Sequence, residues 1–177
     1  MRKLTHQEIV ERQEERMKHP RLPFVVVLNN VRSVYNVGSI FRTSDGLGIE
    51  KLWLCGITGH PPHPQLLKTA LGVEKRVAWE HHPDVYFVLN KLKKENYQII
   101  LLEQTDRSLP LDEFEPRFPV CLVLGNEIEG VNERLLLLSE VSLEIAMDGF
   151  KNSLNVAVAF GIAAHHIRQT MKIGSNK

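Results

Sequence analysis

Between Val120 and Leu124 the chain runs through five apolar residues without interruption and stops at Gly125. A run of that length is too short for an ordinary helix. A strand apolar at every position must be covered on both faces, as in a parallel sheet enclosed by helices. Phe24 to Leu28, Lys51 to Cys55, Val77 to Glu80, Tyr97 to Leu102 and Val141 to Met147 also read as strands. Between them lie helical patterns, the clearest from Asp84 to Asn96, where Val85, Val88, Leu89 and Leu92 share a face. Strands alternating with helices predict an α/β fold with a mostly parallel sheet and helices on both faces. Such sheets bind ligands beyond the carboxyl ends of their strands. The loop Gly125–Asn126–Glu127–Ile128–Glu129–Gly130, after Leu124, and the loop Asp148 to Asn152, after the Val141 run, are the places to look. Ser153 to Gln169, rich in Ala, Val and Ile, is predicted as the helix that closes the domain.

The amino-terminal residues read differently. Thr5 and Glu8 form a capping-box pattern for a helix that should run to about Lys18 and stop before Pro20. Its apolar positions are few and its charges many. It is either a solvated appendage or an arm whose Arg12, Arg16 and Lys18 meet phosphates. The predicted organisation is a helical extension at 1–22, one α/β domain at 23–171 and a tail at 172–177. At 177 residues, 43% hydrophobic and 24% charged, the chain is long enough for one proper core. No apolar run approaches a membrane span, and Met1 to Glu8 lacks the apolar core of a secretion signal. Cys55 and Cys121 fall inside strands and read as core thiols of a cytoplasmic protein. A net charge of +1 means that any nucleic-acid surface must be local.

Several chemistries lack their motifs. Gly46–Leu47–Gly48 follows a helix, whereas a dinucleotide fingerprint follows a strand. Gly130 is followed by Val131 and Asn132, so there is no phosphate-binding loop of the G-K-[ST] type, and no G-x-S-x-G elbow occurs. His60 and His63 have no Cys or acidic neighbour in sequence and read as loop histidines, so no metal is expected.

Three other stretches occur in order: Asn36-x-Gly38-x-x-x-Arg42–Thr43, Leu124–Gly125–Asn126–Glu127-x-x-Gly130, and Ser153–Leu154–Asn155–Val156–Ala157. Together they resemble the three motifs of the SpoU (TrmH-like) branch of the SPOUT RNA methyltransferases, over about residues 24 to 170. The resemblance implies S-adenosylmethionine as methyl donor and a ribose 2′-hydroxyl of tRNA or rRNA as acceptor. It also implies a homodimer and a trefoil knot at the carboxyl end, where an unaided reading would lay the last helix on the sheet unthreaded.

Carried over residue by residue, the resemblance assigns the donor to Gly125, Ile145 and Leu154, with Leu102, Glu103 and Met147 as neighbours. Read alone, Ile145, Met147 and Leu154 would simply be core. Arg42 matches the family arginine at the acceptor, and Asn36, Glu127, Ser153 and Asn155 complete the catalytic set. An arginine stays protonated in water, so holding a phosphate suits Arg42 better than taking a proton. The alternative for Arg42 is a helix arginine paired with Asp45 or Glu127, and Glu127 is otherwise expected to orient it. Asn30 and Arg32, beside Asn29, are candidates for the RNA entrance. Two other readings stand beside the ribose methyltransferase: a non-catalytic RNA-binding or ribosome-associated module on the same fold, and methylation of a base.

Overall fold

The computed structural model describes residues 1–174. It begins with helix α1 (His6–Met17), closed by the expected capping box: the Glu8 amide donates to the Thr5 hydroxyl at 3.3 Å and the Thr5 amide to the Glu8 carboxylate at 2.7 Å. No residue of α1 is buried. The body follows as β1 (Leu22–Asn29), α2 (Val34–Leu47), β2 (Ile49–Cys55), α3 (Pro64–Ala70), β3 (Ala78–His82), α4 (Val85–Lys94) and β4 (Gln98–Leu102). Then come β5 (Leu109–Pro110), β6 (Val120–Leu124), α5 (Glu133–Leu136), β7 (Val141–Glu144) and α6 (Val156–Gly174). The expected tail at 172–177 overlaps the end of α6, and residues 175–177 lie outside the described residues.

The seven strands form one sheet in the order β3-β2-β1-β6-β4-β7-β5, and every pair is parallel. The alternation of β1 divides the core. Phe24, Val26 and Leu28 face a layer made by α2, α3 and α6, with Phe41, Leu66, Phe160 and Ile167 buried in it. Val25 and Val27 face α4 and α5, through Val88, Leu89 and Leu135. Cys55 and Cys121 lie on this second face, and burial pushes the Cys55 thiol up to about 12 and Cys121 upward as well. Among the described residues no helix is long and apolar enough to cross a membrane.

Of the expected boundaries that shift, two shape the ligand end. The last strand stops at Glu144, so Ile145 and Met147 leave the sheet. Helix α6 begins at Val156 and not at Ser153, because the Asn155 side-chain carbonyl accepts the Ala157 amide at 2.9 Å and caps it. Two elements carried no readable signal: β5, two residues long, and α5, a single turn opened by Asn132.

Candidate functional site

Strands β4, β6 and β7 sit side by side, and their carboxyl ends open into one cleft of about 610 Å³. Its wall from β6 is the glycine loop. Asn126 and Gly130 pair across it, amide to carbonyl in both directions at 3.0 and 2.9 Å. The Asn126 side-chain carbonyl accepts the amides of Ile128 and Glu129, and its NH2 donates to the Asn30 carbonyl at 2.9 Å. Gly130 adopts a φ of +68°, which glycine takes without strain. Gly125 is required for another reason: a Cβ there would lie 2.5 Å from the Val131 nitrogen and nearer still to the Gly130 carbonyl. From β4, Glu103 braces the loop by accepting the Val131 amide at 2.8 Å.

The cleft gathers most of the predicted site. Leu102, Glu103, Gly125, Ile145, Met147 and Leu154 all line it, as do Glu127, Ser153 and Asn155. The shortened β7 and the late start of α6 are what place Ile145, Met147, Ser153 and Leu154 there, as loop residues. Gln104 ties the far side, donating to the Asn152 carbonyl at 2.8 Å.

Asn36 joins this constellation from α2 without lining the cleft. Its carbonyl accepts the Asn155 NH2 at 3.1 Å, and its own NH2 donates to Glu127 at 3.1 Å. Glu127 also accepts the backbone amides of Arg32 at 2.8 Å and Ser33 at 3.0 Å. Partial burial alone would raise the Glu127 carboxyl pKa. The Arg32, Ser33 and Asn36 donors outweigh it and hold the group below the ordinary carboxylate value. Glu127 is therefore a clamp that joins the glycine loop to the start of α2, and among the described residues it forms no ion pair with Arg42.

Arg42 lies elsewhere. Six residues after Asn36 on a helix turning about 100° per residue, it is rotated roughly 120° away. It lines a second groove, of about 470 Å³, with Ser39, Thr43, Lys68, Thr69 and Leu71. Neither expected partner holds it: Asp45 pairs with Arg21 at 3.3 Å, and Glu127 is occupied as described. Asn30, at φ +60°, commits its side-chain carbonyl to the Ile57 amide at 3.1 Å. Arg32 offers an exposed side chain beside Glu127. His60 stacks with Trp79 and packs tilted against His81, and among the described residues no group of three or more ligating side chains could hold a metal. Sequence reading did not single out Gln104 or the bond from the Asn126 NH2 to Asn30, because both join distant loops.

Fold and site thus define an α/β protein of parallel sheet whose ligand cleft is built from loops at three adjacent strand ends. The chain belongs to the SpoU rRNA Methylase family, whose model matches residues 23–165. It is similar to the tRNA (guanosine(18)-2′-O)-methyltransferase of Thermus thermophilus, 29% identical over 162 residues that cover 91% of this chain and 82% of the relative. The enzyme of the same name from Aquifex aeolicus is 27% identical, over 90% of this chain and 75% of its own length. Among solved structures, the A. aeolicus TrmH/SpoU tRNA modifying enzyme superposes with a TM-score of 0.82 at 24% identity, covering 94% of this chain and 86% of that one. An AdoMet-bound rRNA methyltransferase from Sinorhizobium meliloti superposes with a TM-score of 0.77 at 25% identity, covering 85% of this chain and 58% of that one.

Proposed function

We propose that the chain is an S-adenosylmethionine-dependent RNA methyltransferase that modifies a ribose 2′-hydroxyl of tRNA or rRNA. The observation that carries this is the single cleft in which all six residues expected at the donor meet Glu127, Ser153 and Asn155. The cleft suits the donor: its volume is that of a small-molecule site, its lining includes the apolar Leu102, Leu124, Ile145 and Leu154, and Gly125 lets the glycine loop fold tightly against Gly130 and Val131 at its wall. The relatives named as tRNA 2′-O-methyltransferases and the AdoMet-bound structural neighbour support the same reading.

When bound, S-adenosylmethionine supplies a methyl group on a sulfonium, whose transfer to a hydroxyl oxygen releases a proton. The protein's part is alignment. Glu127, Asn36 and Asn155 lock the glycine loop, the start of α2 and the start of α6 into one rim where the ribose approaches. Arg42 holds a phosphate of the acceptor strand and Arg32 faces the strand's entrance, with Asn30 tied to the glycine loop through Asn126 and to the Ile57 amide.

A trefoil knot and a homodimer belong to the same proposal. The sheet order accords with a knot: β7 lies between β4 and β5, and β4 between β6 and β7, so the connections β4–β5 and β6–β7 span overlapping strand positions. The exposed apolar side chains of Val158 (51% accessible) and Ile162 (42%) on α6 support a second copy as the partner. A cytoplasmic location accords with an RNA substrate and two reduced core thiols.

The test is calorimetry with S-adenosylmethionine, then mass-spectrometric mapping of ribose methylation in total RNA with and without the gene. Arg42→Ala should keep donor binding and lower methylation by on the order of 10²-fold, the size of a positioning defect. Folded protein that fails to bind the donor would refute the proposal. RNA binding without turnover would instead identify a non-catalytic module.

A further inference from the structure

The groove between α2 and α3 holds more than Arg42. A Cβ on Gly38 would lie 2.6 Å from the Leu66 carbonyl and nearer still to the Thr69 hydroxyl, so the two helices meet backbone to backbone there. The contact falls one turn before Arg42, and it brings Lys68, the residue before Thr69, into the same groove. The Thr69 hydroxyl turns back to its own helix, bonding the Leu66 carbonyl at 3.0 Å. Helix α3 is capped by Leu71, held at φ +55° with 62% of its surface exposed, and Gly72 at φ +89° leads into the turn Val73–Lys75, which packs back on α2.

Among the described residues neither Arg42 nor Lys68 is paired with a carboxylate. The acid nearest Arg42 in sequence, Asp45, is held by Arg21. Two cations in one concavity with no acid among its lining residues repel each other, and an anion between them removes that cost. The hydroxyls of Ser39 and Thr43 add neutral donors on the α2 wall.

We infer that Lys68 is a substrate-binding residue which, with Arg42, takes one backbone phosphodiester of the acceptor RNA in the α2–α3 groove. The inference rests on the RNA methyltransferase reading and adds to it a second cation supplied by a different helix. A phosphate contact fixes the position of the strand without reading its sequence, so Lys68 acts on RNA affinity and leaves the donor cleft untouched.

The experiment is filter binding of bulk tRNA over a series of salt concentrations, for wild type, Lys68→Ala, Lys68→Arg and the remote surface control Lys93→Ala. Loss of one phosphate contact should reduce the slope of log affinity against log salt by about one in Lys68→Ala. Lys68→Arg and Lys93→Ala should retain the wild-type slope, and calorimetric binding of S-adenosylmethionine should be the same in all four. In methylation kinetics the Lys68→Ala defect should fall on the KM for tRNA more than on kcat. An unchanged slope in Lys68→Ala, with wild type binding and methylating RNA, would overturn this assignment and leave the methyltransferase reading standing. Wild type that binds neither bulk tRNA nor total rRNA would sink both. Calorimetric binding of inorganic phosphate that disappears in Lys68→Ala without any change in the tRNA slope would make the groove a free-anion site and overturn the assignment to RNA.

Discussion

Gly125→Ala tests whether the donor cleft depends on backbone approach or only on apolar lining. The new methyl would sit 2.5 Å from the Val131 nitrogen, where Cβ contacts under 3.0 Å essentially do not occur, so the loop must retreat by at least about 0.5 Å. The obstructing atoms are backbone, and they are fixed twice: by the Asn126–Gly130 pair at 3.0 and 2.9 Å, and by the Glu103 carboxylate on the Val131 amide at 2.8 Å. Retreat therefore stretches one or two hydrogen bonds, at about 1 kcal/mol each, on top of about 1–3 kcal/mol of overpacking. A destabilisation of about 2–5 kcal/mol corresponds to a fall in Tm of roughly 4–20 °C for a domain of this size. Loop displacement should weaken S-adenosylmethionine binding by on the order of 10²-fold, read by calorimetry below the transition. Gly149→Ala is the matched control, because a Cβ at Gly149 meets nothing within 4 Å. Gly125→Ala that melts with wild type and binds the donor within about threefold would show that the loop yields easily, and the argument from close backbone approach would fail.

Glu127→Gln keeps the shape of the clamp and removes its charge. Because the group is largely solvent-exposed, the loss should be only about 1 kcal/mol, seen as a small Tm decrease at pH 7. The folded-state pKa lies below the ordinary 4.5, so the charged clamp stabilises above 4.5 and this contribution disappears as pH falls through the depressed value. The Tm gap between wild type and Glu127→Gln should therefore close on acidification below pH 4.5, and a gap that widens there would contradict the clamp. Gly38→Ala should force α2 from α3 against the Leu66 carbonyl and cost about 2–3 kcal/mol in denaturant unfolding. Adding Thr69→Ala should relieve only part of that loss, since the Leu66 backbone remains, and full recovery would mean that only the Thr69 hydroxyl obstructs.

Most of the architecture was legible because its signals are local. A strand buried on both faces must be apolar throughout, and a surface helix must repeat its apolar positions every three or four residues; the runs at Val120 to Leu124 and Val85 to Leu92 satisfy these conditions on their own. The three motifs likewise marked Gly125, Glu127, Ser153, Leu154 and Asn155 before any geometry was known, and the structure brings them to one cleft. The ends of β7 and α6 were misplaced because apolar residues that line a ligand cleft have the composition of core residues. Ile145 and Met147 differ from Leu143 only in where the chain takes them.

What the sequence determined by itself is the class of fold, the strand ends at which a ligand binds and the residue types available there. Only the tertiary structure decided how these residues are shared out. It gave Glu127 to the amides of Arg32 and Ser33, and set Asn36 between Glu127 and Asn155. It placed Arg42 beside Lys68 in another groove. Such pairings join residues tens of positions apart in the chain. Periodicity and capping act over a few residues, whereas the partner of a side chain is fixed by the packing of whole elements, here by the close approach of α2 to α3 at Gly38 and by the place of β7 in the sheet.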